Sequence, residues 1–118
     1  MPRVYESQES CPVARTLNAI GDRWTLLLLR DLGKGIGRFS ELLASLEGIS
    51  PNLLADRLKR LEEHGIVERV FYQQHPPRAE YRLTAKGDEL TAVVEVLREW
   101  GRKYAPGSRV DRRRVRVR

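Results

Sequence analysis

The chain has 118 residues, is 41% hydrophobic and 32% charged, and carries a formal net charge of +6. That is one domain's worth of sequence, with enough apolar content for a single core and too much for a wholly disordered chain. The longest apolar run, Leu26 to Leu29, is closed by Arg30, far short of a membrane span. A lone cysteine permits no internal disulfide, so no membrane partner and a cytoplasmic location are expected.

Residues 1–10 read as a flexible N-terminal segment, with Glu6 and Glu9 where a signal peptide would need an apolar stretch. Pro12, suited to a first helical position, opens a helix over 12–20 with Val13, Leu17 and Ile20 on one face, ended by Gly21. Asp22 is a good N-cap for a second helix over 23–32. Its leucines make it apolar on most sides, as expected of a helix at the centre of a small domain. Glycines at 33, 35 and 37 close it, and Phe39, Leu42, Leu43 and Leu46 mark a short helix over 39–46.

After a turn at Glu47–Ile49, Ser50 and Pro51 form a strong start signal for a helix over 51–64, with Leu54, Leu58 and Leu61 facing inward. The period then changes to about two. Residues 66–72 and 80–83 read as paired strands, and 73–78 as their turn. Thr84 caps a last helix over 85–104, which would extend about 30 Å. The fold class is therefore mainly α with a small β-hairpin (α+β): a winged helix-turn-helix with a long C-terminal dimerisation helix, occupying 11–105.

Residues 38–83 carry the functional signal, since two short helices and a turn followed by a hairpin make a winged helix-turn-helix. The major groove, about 12 Å wide, admits one helix, and a wing reaches the neighbouring backbone or minor groove. On helix 51–64, Asn52, Asp56, Lys59 and Glu63 lie opposite the leucines, with Arg57 and Arg60 on a flank. Ser50, Pro51, Asn52 and Asp56 stand at the end that enters a groove. Arg57, Lys59 and Arg60 are better placed for phosphates. Arg38, and Gln74 and Arg78 in the wing, complete the expected contacts with double-stranded DNA. An ordinary amphipathic helix with a solvated charged face is the alternative.

The two histidines, His64 and His75, are too few for a zinc site. With no serine–histidine–acid set and no phosphate loop, the chain does not read as an enzyme, and no cofactor is expected.

The stretches CPVARTL at 11–17, IGDRWTLLLLRDL at 20–32, RFSEL at 38–42, GISPNLLADRLKRLE at 48–62, GIVER at 65–69 and PPRAEYRLTAKG at 76–87 stand in unbroken order. Together they resemble the HxlR-type winged helix-turn-helix transcriptional regulators. The resemblance implies a sequence-specific regulator that binds a palindromic operator as a homodimer built from its first and last helices. It also implies that the helix beginning at Ser50 is the recognition helix and that Arg78 sits in the wing. Leu17, Leu90, Val93, Val94, Leu97 and Trp100 are the expected dimer interface, with packing inside the monomer as the alternative for the same side chains.

Several members of this family use a cysteine at the position of Cys11 as a redox or electrophile sensor. A helix start lowers a thiol pKa, and the absence of a second cysteine would leave a symmetric pair or a mixed disulfide with a small thiol. The alternative is a small apolar packing residue. A winged-helix protein-interaction module without specific DNA binding is the competing function.

Residues 106–118 form a basic tail expected to be disordered. Its last ten residues hold six arginines against one aspartate, leaving the rest of the chain close to neutral. The tail either adds sequence-independent attraction to phosphates or is an extension without a role.

Overall fold

The computed structural model describes residues 10–105, so the expectations for the N-terminal segment and for the basic tail lie almost wholly outside the described residues. Helices α1 (Pro12–Ile20), α2 (Arg23–Gly33), α3 (Phe39–Ser45) and α4 (Pro51–Glu63) are followed by strands β1 (Val67–Gln74) and β2 (Pro77–Leu83). A short helix α5 (Ala85–Asp88) and a longer α6 (Thr91–Tyr104) complete the order. Among the described residues no helix is long and apolar enough to cross a membrane.

Each helix expected to carry a side-chain cap has one. Asp22 accepts from the Thr25 amide at 2.9 Å, Ser50 from the Leu53 amide at 3.1 Å, and Thr84 from the Gly87 amide at 3.0 Å. These caps satisfy donors that would otherwise be orphaned at the helix starts. Gly65 lies just beyond α4 with φ +73, a left-handed conformation that glycine adopts without strain, and it turns the chain into β1.

The core gathers around α2. Leu28 and Leu29 are buried from within it, Leu42 joins them from α3, and Leu54, Leu58 and Leu61 from α4. Ile66, Val67 and Val94 close the far side. Truncating a leucine so enclosed costs about 2–5 kcal/mol, so α4 is held by its leucines and its opposite face is left to solvent.

Two expectations are corrected. The hairpin is longer than its apolar pattern indicated: β1 runs to Gln74 and β2 begins at Pro77, with only His75 and Pro76 between them, joined by a cis peptide. Backbone pairing in an exposed ribbon needs no apolar side chain, so the polar residues 73–78 extend the ladder. The register pairs Val67 with Leu83 and Phe71 with Ala79, then shifts by a bulge at Tyr72 before Gln73 meets Arg78.

The last helix is two helices, not one over 85–104. A Cβ on Gly87 would collide with the carbonyl oxygen of Ile66, so this glycine lets the backbone dock directly on the start of β1. The Leu90 amide then donates to the Gly87 carbonyl at 2.9 Å, and Thr91 Oγ1 donates to the Asp88 carbonyl at 2.7 Å, which restarts the chain as α6. At 14 residues, α6 extends about 21 Å.

Burial divides the expected dimer residues. Val94 is buried and Leu90 half-buried against the monomer's own core. Leu17 on α1 and Val93, Leu97 and Trp100 on α6 are exposed, as are Val13, Val96 and Tyr104. On a helical wheel the exposed apolar residues of α6 form a second stripe, turned away from Val94.

Candidate nucleic-acid interface

Helices α3 and α4 meet through the turn Leu46–Ser50, and the hairpin follows α4 directly, so recognition helix and wing are one continuous piece of chain. Ser50, Pro51, Asn52, Asp56 and Lys59 are exposed along α4, and Arg60 is half-buried on its flank. Ser50 spends one lone pair on its cap, which leaves its hydroxyl proton free to donate. The free amides and positive dipole end at the start of α4 favour an anion there.

The other end of α4 is different. Ala55, Lys59, Glu62, Glu63, Arg69 and Tyr81 line an open cleft of about 480 Å³ between the helix and the hairpin. Glu62 holds Arg69 at 3.1 Å. Burial pushes the Tyr81 hydroxyl above its ordinary pKa, opposed by Arg69 and reinforced by Glu62, so it stays protonated at neutral pH. Glu62 and Glu63 repel phosphate at the last turn of α4, which leaves the stretch from Ser50 to Arg60 as the approachable part.

The cations on and beside the hairpin fall into two groups. Arg38, just before α3, bridges to the β2 edge opposite Glu80, pairs with that carboxylate at 3.7 Å and lies 4.3 Å over the Tyr72 ring. Arg82 pairs with Glu68 across the ladder at 3.3 Å. Arg78 and Gln74 are exposed near the tip. Among the described residues Lys59, Arg60 and Arg78 make no ion pair, and these are the cations most available to phosphate.

Arg57 departs from expectation. Its side chain is only 20% exposed, its Nε lies 3.3 Å from Asp22 Oδ2, and its Nη1 is bound to Asp56. It points back toward the start of α2 instead of out toward a ligand. Sequence reasoning identified Asp22 as a cap and Arg57 as a flank residue, but their meeting across 35 positions has no local signal. The Arg38–Tyr72 stacking was missed for the same reason.

Cys11 is half-buried at the N-cap of α1. The amides of Ala14 and Val13 at the helix start hold its thiol below the ordinary value, partly opposed by desolvation and helped by Arg15.

A family model described as HxlR-like helix-turn-helix matches residues 19–109. An HTH-type transcriptional regulator of Mycobacterium bovis is 46% identical over 94 residues, covering 80% of this chain and 59% of that relative, so the chain spans less than two-thirds of its length. A regulator of the same description from Synechocystis is 39% identical over 97 residues, covering 82% of this chain and 72% of the relative. Among solved structures, the redox regulator HypR in its oxidized form superposes with a TM-score of 0.74 at 39% identity, covering 79% of this chain and 96% of HypR. The reduced transcriptional regulator YodB from B. subtilis superposes with a TM-score of 0.67 at 34% identity, covering 83% and 97%. With the ordered helices, the wing and the matched span in agreement, the chain belongs to the HxlR-like helix-turn-helix family.

Proposed function

We propose that two copies of this chain form a sequence-specific, DNA-binding transcriptional regulator that acts on a palindromic operator in the cytoplasm. The observation that carries this reading is the exposed polar face at the start of α4, set beside a wing whose tip holds Arg78 and Gln74. In this arrangement Ser50, Pro51, Asn52 and Asp56 meet base edges in the major groove. Lys59 and Arg60 take phosphates beside them, and the wing with Arg38 flanks the backbone or minor groove. The second copy packs against the exposed stripe of α6 and the Val13–Leu17 face of α1.

Cys11 makes the regulator responsive to oxidation. The reading is supported by the depressed thiol pKa and by the likeness to HypR, a redox regulator. The Cys11 thiolate attacks one sulfur of a small disulfide, forms a mixed disulfide and expels the other half as a thiolate.

Fluorescence anisotropy with duplexes from the DNA beside its own gene, against scrambled duplexes, tests the main reading. A specific site should bind at least about 10³-fold more tightly than random DNA at physiological salt. Equal affinity for both duplexes would instead favour a protein-docking module. For the thiol, adding a small disulfide should change operator affinity of the wild type and leave Cys11→Ser untouched.

A further inference from the structure

Three parts of the fold converge on Asp22. It follows Gly21, whose amide closes α1 by donating to the Leu17 carbonyl at 2.7 Å. Its Oδ1 caps α2 through the Thr25 amide at 2.9 Å, and its Oδ2 accepts from the buried Thr25 hydroxyl at 2.8 Å. The same Oδ2 faces Arg57 Nε at 3.3 Å, in the second turn of α4. That Nε is enclosed and has no hydrogen bond of good geometry, so the Asp22 charge is its compensation. Asp56 binds the other side of the same guanidinium. Arg57 is thus held between two carboxylates, one on its own helix and one on the neighbouring helix.

For Arg57 to reach a phosphate it would have to leave Asp22 and expose a carboxylate beside the incoming anion. Lys59 and Arg60 need no such rearrangement.

We infer that Arg57 is a positioning residue and Asp22 its anchor: the pair fixes the angle at which α4 presents Ser50, Asn52 and Asp56, while neighbouring cations bind phosphate. This rests on the DNA-binding reading above. It assigns to Asp22 a part in sequence discrimination although the residue touches no DNA.

The test measures affinity for an operator duplex and a random duplex across a salt series, for wild type, Asp22→Asn, Arg57→Gln, the double variant and Lys59→Gln. Asparagine is as good an N-cap as aspartate, so Asp22→Asn keeps the Oδ1 cap on the Thr25 amide and removes the charge together with the Oδ2 acceptor that meets the Thr25 hydroxyl and faces Arg57. Thermal unfolding of each variant confirms that binding is read on folded protein.

The expected result is a loss of about tenfold in operator affinity for each single variant, with the double variant no worse than either. Random-duplex affinity and the salt slope should stay at wild-type values, whereas Lys59→Gln should lose about 0.9 from the slope. A variant that merely lowered the folded fraction would weaken both duplexes equally and overturn the proposal. So would tighter binding by Asp22→Asn, no change in operator affinity, or loss of slope in Arg57→Gln, since the last would make Arg57 a phosphate ligand. If wild type binds neither duplex in a salt-dependent way, the DNA-binding reading itself fails.

Discussion

Replacing Trp100 with alanine should separate two copies of the chain without unfolding either. Trp100 lies on the outer stripe of α6, 60% exposed, with its ring 5.2 Å from that of Tyr104. A fully covered aromatic buries about 150–250 Å², so roughly 90–150 Å² remain for a partner to cover. At ~25 cal/mol per Å² this is about 2–4 kcal/mol per protomer. A two-fold axis removes the contact twice, and association costs consume part of the sum. A net loss of about 2.7 kcal/mol weakens the dimer Kd by about 100-fold. Sedimentation velocity over a dilution series reads that constant directly, and far-UV circular dichroism reads the helices. The variant should be monomeric where wild type is dimeric, with its helicity intact. An unchanged Kd, or helicity lost together with self-association, would refute the assignment of this stripe to a second copy.

Three further outcomes follow from the geometry. Gly37→Ala places a Cβ against the Tyr81 carbonyl oxygen, beside the 2.8 Å hydrogen bond from the Tyr81 amide to the Gly37 carbonyl. Overpacking of this kind costs about 1–3 kcal/mol, and an unchanged Tm would show that the wing yields there. Burial raises the pKa of Asp22, but the Thr25 hydrogen bonds and Arg57 outweigh it and hold the carboxyl below the ordinary range. Its stabilisation is therefore complete above the unfolded value of about 3.9 and is lost as pH falls through the lower folded value. Asp22→Asn should flatten the acid side of a Tm-against-pH curve, and an unaltered curve would exclude Asp22 as a contributor. Arg78→Gln should weaken operator and random DNA alike and reduce the salt slope by about 0.9, while a loss confined to the operator would make Arg78 a reader of bases.

What the sequence disclosed and what it hid divide along physical lines. Caps at Asp22, Ser50 and Thr84, and the inward leucines of α4, are local patterns, and each lies where its spacing placed it. The break before α6 depends on a close approach of Gly87 to Ile66, 21 positions earlier, so helical periodicity runs through it unmarked. The wing's true length rests on backbone pairing among polar residues, where hydrophobic alternation carries no information. For the candidate site, the exposed face of α4 was legible by angle alone. The inward turn of Arg57 was not, because its partner sits on another helix.

Only Ile20 among the nine residues of α1 is buried, so this helix is barely anchored in one copy of the chain. A helix of nine residues is well below the length of about 12–15 at which isolated helices begin to persist in water. In one copy its order rests on Ile20 and the half-buried Ala14 and Ala19, and cover over Val13 and Leu17 would add to it. The Cys11 thiol owes its lowered pKa to amides that α1 aligns. If the second copy supplies that cover, the thiol becomes more reactive as protein concentration rises past the dimer Kd. Sensitivity to oxidant would then report how much regulator the cell holds as well as how much oxidant it meets.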